Sequence, residues 1–189
     1  MSEKLNVVGI VGSLRKDSVN RKLLNVAKTF LDDSVTYSEM DISDVPLFNQ
    51  DLEHEILKSV QRIREQALNA DAFIFVTPEY NSGVPGVLKN VVDWLSRPLD
   101  KHGNKPLVNK TAYVMGATTG ISGTITPQEH LRSILAYMGV FVLPSTRTTV
   151  PLVANHIDDE GNLELSDMTL GFLKDGIKNF VKYSKKLID

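Results

Sequence analysis

The stretch GSLRKDSVN at positions 12–20 follows the first apolar run and brings several hydrogen-bond donors close together. The donor side chains are Ser13, Arg15, Ser18 and Asn20, and Val19 opens the helical pattern that follows. The N–H groups at a helix start lack intrahelical partners, and the helix dipole favours an anion there. A guanidinium binds two phosphate oxygens through parallel hydrogen bonds. The stretch therefore predicts a binding site for a terminal phosphate.

The same residues also have an ordinary structural interpretation. Taken singly, Ser18 is a helix cap and Arg15 is a solvated surface charge, as for most such residues in loops. The stretch lacks the Gly-Lys-Ser/Thr of a Walker loop, and Gly9 and Gly12 do not complete a Gly-x-Gly-x-x-Gly fingerprint. Both facts argue against ATP and against a Rossmann-bound dinucleotide. The position of the whole cluster, directly after an apolar strand pattern, favours the phosphate interpretation.

A second loop, TPEYNSGVPG at positions 77–86, predicts a surface for a flat ligand. Its glycines and prolines bend the backbone, and Asn81 tolerates a positive φ, so the chain can approach a planar ring closely. Tyr80 supplies an aromatic ring of its own. The alternative is that Tyr80 packs partly buried and that Glu79 is a surface acid.

Alternating strands and helices must position these loops. Apolar runs predict strands covered on both faces at Leu5–Val11, Ala72–Val76 and 112–115, with shorter β-branched stretches near 35–37 and 140–150. Apolar residues at helical spacing separate them. The pattern predicts an α/β fold, a flavodoxin-like three-layer sandwich around a five-stranded parallel sheet of order 2-1-3-4-5. Ligands of such sheets bind beyond the carboxyl ends of strands one and three, where both loops begin.

Residues 84–95 carry more apolar surface than packing on one sheet requires. At about 100° per residue the apolar positions span an arc of roughly 160°, against a stripe of about 100° for an ordinary surface helix. Trp94 lies at one edge of this arc. The surplus surface covers a cofactor, covers a partner subunit, or lies under neighbouring loops of the same chain.

Composition limits the function classes. The chain has 189 residues, 42% hydrophobic and 23% charged, which suits one domain over residues 1–189. The net charge of −2 argues against a nucleic-acid partner, and the absence of cysteine excludes thiolate metal sites and cysteine nucleophiles. The apolar run near the N-terminus is too short for a signal-peptide core or a membrane span, so we expect a cytoplasmic protein without membrane binding. Four scattered histidines indicate no metal site, and we expect His130 to begin the helix after strand four.

The two loops together, GSLRKDSVNRKL and TPEYNSGVPGVLKNVVDWLSRP, resemble the NAD(P)H-dependent FMN reductase family. This family of flavodoxin-like flavoenzymes includes bacterial azoreductases and quinone or chromate reductases. The resemblance implies FMN as the cofactor. It implies that the FMN phosphate is held by Ser13, Arg15, Ser18, Asn20 and the backbone of Val19. It also implies that the isoalloxazine is lined by Pro78, Glu79, Tyr80, Asn81 and Ser82.

A third family segment follows strand four, where the family is usually rich in serine and then carries two glycines. Here the segment reads ATTGISGT at positions 117–124. The resemblance implies that threonine hydroxyls take the place of the serines, with Thr118 as the best match for a cofactor contact. Thr124 stands where the second glycine is expected, which argues against a close backbone approach at that position.

The resemblance implies an enzyme that transfers hydride from NADPH or NADH through FMN to a small-molecule electron acceptor, such as a quinone, an azo compound, a metal oxyanion or free flavin. The flavin carries this chemistry, so no catalytic side chain is expected. A homodimer or homotetramer is expected. Two alternatives stay open, a flavodoxin-type electron carrier that does not react with nicotinamide and an interaction module that has lost its cofactor. The single loop tyrosine and the modest net charge favour the enzyme over the carrier.

Overall fold

The computed structural model describes residues 4–99, 103–144 and 146–188. The strands are β1 (Leu5–Val11), β2 (Val35–Glu39), β3 (Ala72–Val76), β4 (Thr111–Ala117), β5 (Phe141–Val142) and β6 (Thr148–Val150). The helices are α1 (Val19–Lys28), α2 (Lys58–Leu68), α3 (Gly86–Leu95), α4 (Ile125–Tyr137) and α5 (Asp167–Ile188). Short 3-10 turns lie at Gln50–Leu52 and Val153–His156. None of the described helices combines the length and the apolar character needed to cross a membrane.

The described strands form a parallel sheet of order β2-β1-β3-β4-β5, in which β6 also pairs with β4. The predicted flavodoxin-like order 2-1-3-4-5 is confirmed, and the described sheet has a sixth short strand in addition to the five predicted ones. Phe141 pairs with Thr111 at the start of β4, whereas Thr148 pairs with Met115 further along the same strand. Pro144 lies between the two short strands, and proline cannot donate the ladder hydrogen bond that a continuous strand requires. The last strand is therefore divided into β5 and β6.

Helices cover both faces of the sheet, which explains the unbroken apolar runs in the strands. Phe73 and Phe75 pack with α2, α3 and α4 on one side. Ile74 and Val76 pack with α1 and α5 on the other side. Because successive strand residues face opposite layers, each of them must be apolar when both layers are filled.

Helix α3 buries its surplus apolar surface against the segment that joins β2 to α2. Trp94 is only 1% exposed, and its indole Nε1 donates to the carbonyl oxygen of Pro46 at 2.8 Å. The amide of Asn90 donates to the same oxygen at 2.9 Å, and the Phe48 ring meets the Trp94 ring edge to face at 5.0 Å between centroids. Among the three predicted explanations, the structure places Trp94 under a loop of its own chain.

The register of the central strands brings the two predicted site loops to one edge of the sheet. Val11 at the end of β1 pairs with Val76 at the end of β3, and the Gly12 N–H continues this ladder by donating to Val76 O at 2.9 Å. A Cβ on Gly12 would lie 2.9 Å from Leu88 Cδ2 and 3.2 Å from Pro78 Cδ. The absence of a side chain at Gly12 therefore lets the second loop and the start of α3 approach β1 closely.

Candidate functional site

A cleft lies at the carboxyl edge of the sheet, where the loops after β1, β3 and β4 meet. It is lined by Ser13, Arg15, Ser18, Val19, Asn20, Pro78, Glu79, Tyr80, Ala117, Thr118 and Thr119. The cleft measures about 100 Å³. The structure thus brings together every predicted site residue except Asn81 and Ser82, and it adds Ala117 and Thr119 from the third segment.

The two serines of the first loop are buried and already accept one hydrogen bond each. Ser13 Oγ accepts from the Arg15 N–H at 3.3 Å. Ser18 Oγ accepts from the Arg21 N–H at 3.4 Å and so caps α1. A hydroxyl that accepts one bond still has its own proton to donate. The structural cap and the predicted phosphate contact at Ser18 are therefore compatible.

Arg15 is the exposed cation of the cleft, and it forms no ion pair with a described carboxylate. The nearest acidic residue in sequence, Asp17, instead pairs with Lys22 from the first turns of α1. A hydrogen bond from Lys22, assisted by its charge, holds the pKa of Asp17 below its usual value. Because Lys22 binds this carboxylate, the Arg15 guanidinium is left available for an anionic ligand.

Asn20 has a structural task that the sequence did not reveal. Its Nδ2 donates to Ala117 O, and its Oδ1 accepts from Ala117 N, both at 2.9 Å. These buried bonds clamp the start of α1 to the end of β4. One Nδ2 proton is left over, because a carboxamide has two donor hydrogens. Any phosphate contact by Asn20 must use this remaining proton or the backbone.

The loop after β3 makes a tight turn that carries two of its predicted site residues away from the cleft lining. Asn81 and Ser82 have φ of 52° and 57°, and Tyr80 and Gly83 exchange backbone hydrogen bonds across the turn. Paired left-handed residues define this narrow hairpin turn. Asn81 therefore has the predicted positive φ, but both Asn81 and Ser82 are exposed at the tip of the turn.

Tyr80 does not pack into the core, because its side chain is 48% exposed beside the cleft. Glu79 faces the third loop and accepts a hydrogen bond from the Ser122 hydroxyl. Glu79 is partly buried, and this contact holds its carboxylate at the side of the cleft. The contact joins the loops after β3 and β4 across one side of the cleft.

The third loop is held against the last strand by its backbone. Thr118 N–H donates to Val150 O at 3.0 Å, and Leu152 N–H donates to Gly120 O at 2.9 Å. At its end Thr124 has φ of 68°, the left-handed region that favours glycine. Thr119 extends the predicted Thr118 contact by one residue, and the run of two threonines was the signal in the sequence that could have identified it.

His130 lies outside the cleft lining, and its predicted position at a helix start is wrong. Helix α4 begins at Ile125, so His130 lies in its second turn with an exposed side chain. Pro127 made the start of α4 difficult to predict from the sequence, because proline is unfavourable inside a helix. Proline is tolerated in the first turn because its missing N–H has no partner there in any helix.

Comparisons with known proteins agree on one family. The family described as NADPH-dependent FMN reductase matches residues 5–153. The chain is 38% identical to an NAD(P)H-dependent FMN reductase of Pseudomonas aeruginosa over 86% of either protein. It is 33% identical to a quinone reductase of Escherichia coli over 99% of either protein. Among solved structures, the flavoenzyme NAD(P)H:(acceptor) oxidoreductase of Paracoccus denitrificans matches with a TM-score of 0.86 and 31% identity, covering 96% of this chain and 98% of the other.

Proposed function

The chain belongs to the NADPH-dependent FMN reductase family, and from that membership we propose that FMN binds in the cleft and carries electrons from NADPH or NADH to a small-molecule acceptor. The acceptor classes are quinones, azo compounds, metal oxyanions and free flavin. An FMN-dependent oxidoreductase is the common element of these possibilities.

One observation carries the proposal, namely that three loops converge on one cleft with a free cation at one end and an exposed ring beside it. Arg15 and Ser18, the N-cap of α1, offer donors for a dianionic phosphate. Tyr80 offers an exposed aromatic ring at the cleft. The donor set therefore fits the phosphate and the ring of FMN.

The size of the cleft limits how much of FMN it can surround. The cleft measures about 100 Å³, whereas small-ligand pockets usually measure about 300–1,000 Å³. Part of the cofactor would therefore lie outside this cleft. FMN, when bound, supplies the hydride acceptance and release, and the protein supplies binding, orientation and electrostatics.

When FMN is bound, the side chains of this protein bind the phosphate and fix the positions of the three loops. Arg15 neutralises the charge of the phosphate and fixes its orientation, while the hydroxyls of Ser13 and Ser18 donate hydrogen bonds to its oxygens. Asn20 keeps the first loop at a constant distance from the third by binding Ala117. The Glu79–Ser122 hydrogen bond does the same for the second and third loops.

We also propose a homodimer or homotetramer. Leu14, Tyr80 and Ile121 expose apolar side chains on the three loops of the cleft. A second copy that covered this side would remove these side chains from water and narrow the open face. Sedimentation equilibrium of the FMN-loaded protein should give a dimer or tetramer mass, and a monomer mass would contradict this part of the proposal. One domain over residues 1–189 and a cytoplasmic location stay predictions.

Anaerobic reduction tests the function. We expect FMN-loaded protein to lose its flavin absorbance within seconds of adding NADPH or NADH, and to regain it when benzoquinone, methyl red or chromate is added. A spectrum that NADPH and NADH both leave unchanged would favour the electron carrier. Protein that takes up no FMN would favour the interaction module. The lining of the cleft argues against the carrier, since Tyr80 is its one aromatic residue in the described part of the chain.

A further inference from the structure

The loop that joins β4 to α4 ends in two residues with left-handed backbone conformations. Gly123 has φ of 61° and Thr124 has φ of 68°. Glycine adopts this region at little cost, but a β-branched threonine does so only under constraint, because its Cβ crowds the backbone. Contacts around Thr124 must therefore stabilise its conformation.

Gln128, in the first turn of α4, makes such contacts. Its side chain is buried, and its Nε2 donates to Thr124 Oγ1 at 2.9 Å and to Thr148 O at 3.0 Å. The carbonyl oxygen of Thr148 can only accept, which fixes Nε2 rather than Oε1 at this position. The Gln128 amide therefore ties Thr124 to β6.

Thr124 packs closely against the end of β4. A Cβ on Gly116 would lie 2.4 Å from Thr124 Oγ1 and 2.3 Å from Thr77 O, so Thr124 occupies space that only a glycine at 116 leaves open. Gln128 Oε1 is buried without a hydrogen-bond partner among the described residues. A buried unpaired oxygen is destabilising by itself. Core packing alone thus does not account for an amide at position 128.

We infer that Gln128 is a positioning residue of the cleft that acts through Thr124. Gln128 holds the backbone of Thr124 in the left-handed conformation, and this conformation fixes the path of residues 117–122. This segment brings Thr118 and Thr119 to the cleft and Ser122 to Glu79. The effect on cofactor binding rests on the proposed function, because it requires that FMN occupies the cleft.

A double-mutant cycle on FMN affinity tests this inference. Gln128→Met removes both N–H donors but keeps a side chain of similar length. In Thr124→Gly, the glycine at this position can adopt a positive φ without hydrogen bonds from Gln128. Titration calorimetry should show that Gln128→Met weakens FMN binding about tenfold in the native background and by less than about twofold in the Thr124→Gly background. Equal effects in both backgrounds would overturn the inference, and so would no effect in either.

Gln66→Met is the control for the loss of two hydrogen bonds from a helix to a strand. Gln66 is also a helical glutamine whose Nε2 donates twice, to Ser38 Oγ at 2.9 Å and to Glu39 O at 3.3 Å, but it does not line the cleft or contact its loops. We expect Gln66→Met to change FMN affinity by less than about twofold. A loss as large as that of Gln128→Met would mean that any broken helix-to-strand contact has this effect, and would overturn the inference.

Hydrogen exchange on the apoprotein separates a failure of this inference from a failure of the proposed function. The Thr118 N–H is bonded to Val150 O, so its exchange reports the loop position without a ligand. Gln128→Met should speed this exchange about tenfold relative to the native chain, and Gln66→Met should not. Faster exchange in a chain that binds no FMN would support the positioning role and contradict only the proposed function. Unchanged exchange would overturn the inference. If Gln128→Met does not fold, Gln128→Asn, which withdraws the amide by one methylene, is measured in the same way.

Discussion

Asn20 joins two of the three loops that form the cleft. Its two bonds to the Ala117 backbone span 97 positions of sequence and are buried. Without them a peptide N–H and a carbonyl at the end of β4 would each lose a partner away from water. Unsatisfied buried groups cost about 1–3 kcal/mol each.

We therefore expect Asn20→Ala to lower the free energy of unfolding of the apoprotein by about 2–6 kcal/mol. Urea denaturation measures the change. Asn25→Ala is the control, because Asn25 lies in the same helix with an exposed side chain. A loss below about 1 kcal/mol for Asn20→Ala would show that water or a shifted loop replaces the clamp.

Residue types at the cleft could be predicted from the sequence, but their partners could not. A short loop of hydroxyls, an amide and a guanidinium after an apolar strand indicates anion binding whatever the fold. That the Asn20 amide is largely used by Ala117, and that Ser122 reaches Glu79, depends on loops that meet only in three dimensions. Neither contact produces a periodicity or a residue spacing that could be recognised in the sequence.

At the scale of elements, strands and helices with strong apolar patterns were predictable and interrupted ones were not. β1 and β3 have the predicted bounds because both of their faces are buried. The division into β5 and β6 and the early start of α4 depend on Pro144 and Pro127, whose effect on an element varies with position. The wide apolar arc of α3 indicated that this helix is covered on more than its sheet-facing side. It did not indicate whether a cofactor, a partner subunit or a loop of the same chain covers it.

The burial of Trp94 within its own chain leads to a prediction about α3. Trp94→Glu should unfold the protein, because it places a carboxylate in the core and removes the indole bond to Pro46. Circular dichroism and sedimentation of the same sample distinguish the outcomes. A folded Trp94→Glu protein with a smaller assembly mass would instead place this helix at a subunit interface.

For the whole molecule, the half-buried Tyr37 and the buried Tyr113 make stability depend on alkaline pH. Burial raises the pKa of Tyr37 and of Tyr113 to about 12, above the ordinary value of 10.0. The folded chain therefore keeps protons that the unfolded chain has lost. Their contribution to stability is complete below about pH 10 and declines as the pH rises towards 12.

Tyr37→Phe and Tyr113→Phe form a matched pair for this prediction. The Tyr37 hydroxyl has no hydrogen-bond partner among the described residues, whereas the Tyr113 hydroxyl is bonded to Thr148 at 2.6 Å. Tyr37→Phe should thus reduce the alkaline loss of stability without destabilising the protein at pH 7, and Tyr113→Phe should lower stability at pH 7 as well. Urea midpoints at several pH values measure both. An unchanged alkaline slope in Tyr37→Phe would contradict the prediction.

Calorimetric titration of the apoprotein with FMN and with riboflavin, which lacks the phosphate, tests the central claim that the first loop binds the cofactor through its phosphate. The native chain should bind FMN more tightly than riboflavin. Arg15→Ala should weaken FMN binding by about 1.5–3 kcal/mol while leaving riboflavin binding unchanged. Lys16→Ala, which removes the neighbouring exposed cation, should have little effect on either ligand. Equal affinities of the native chain for FMN and riboflavin, or an FMN affinity that Arg15→Ala leaves intact, would contradict the account.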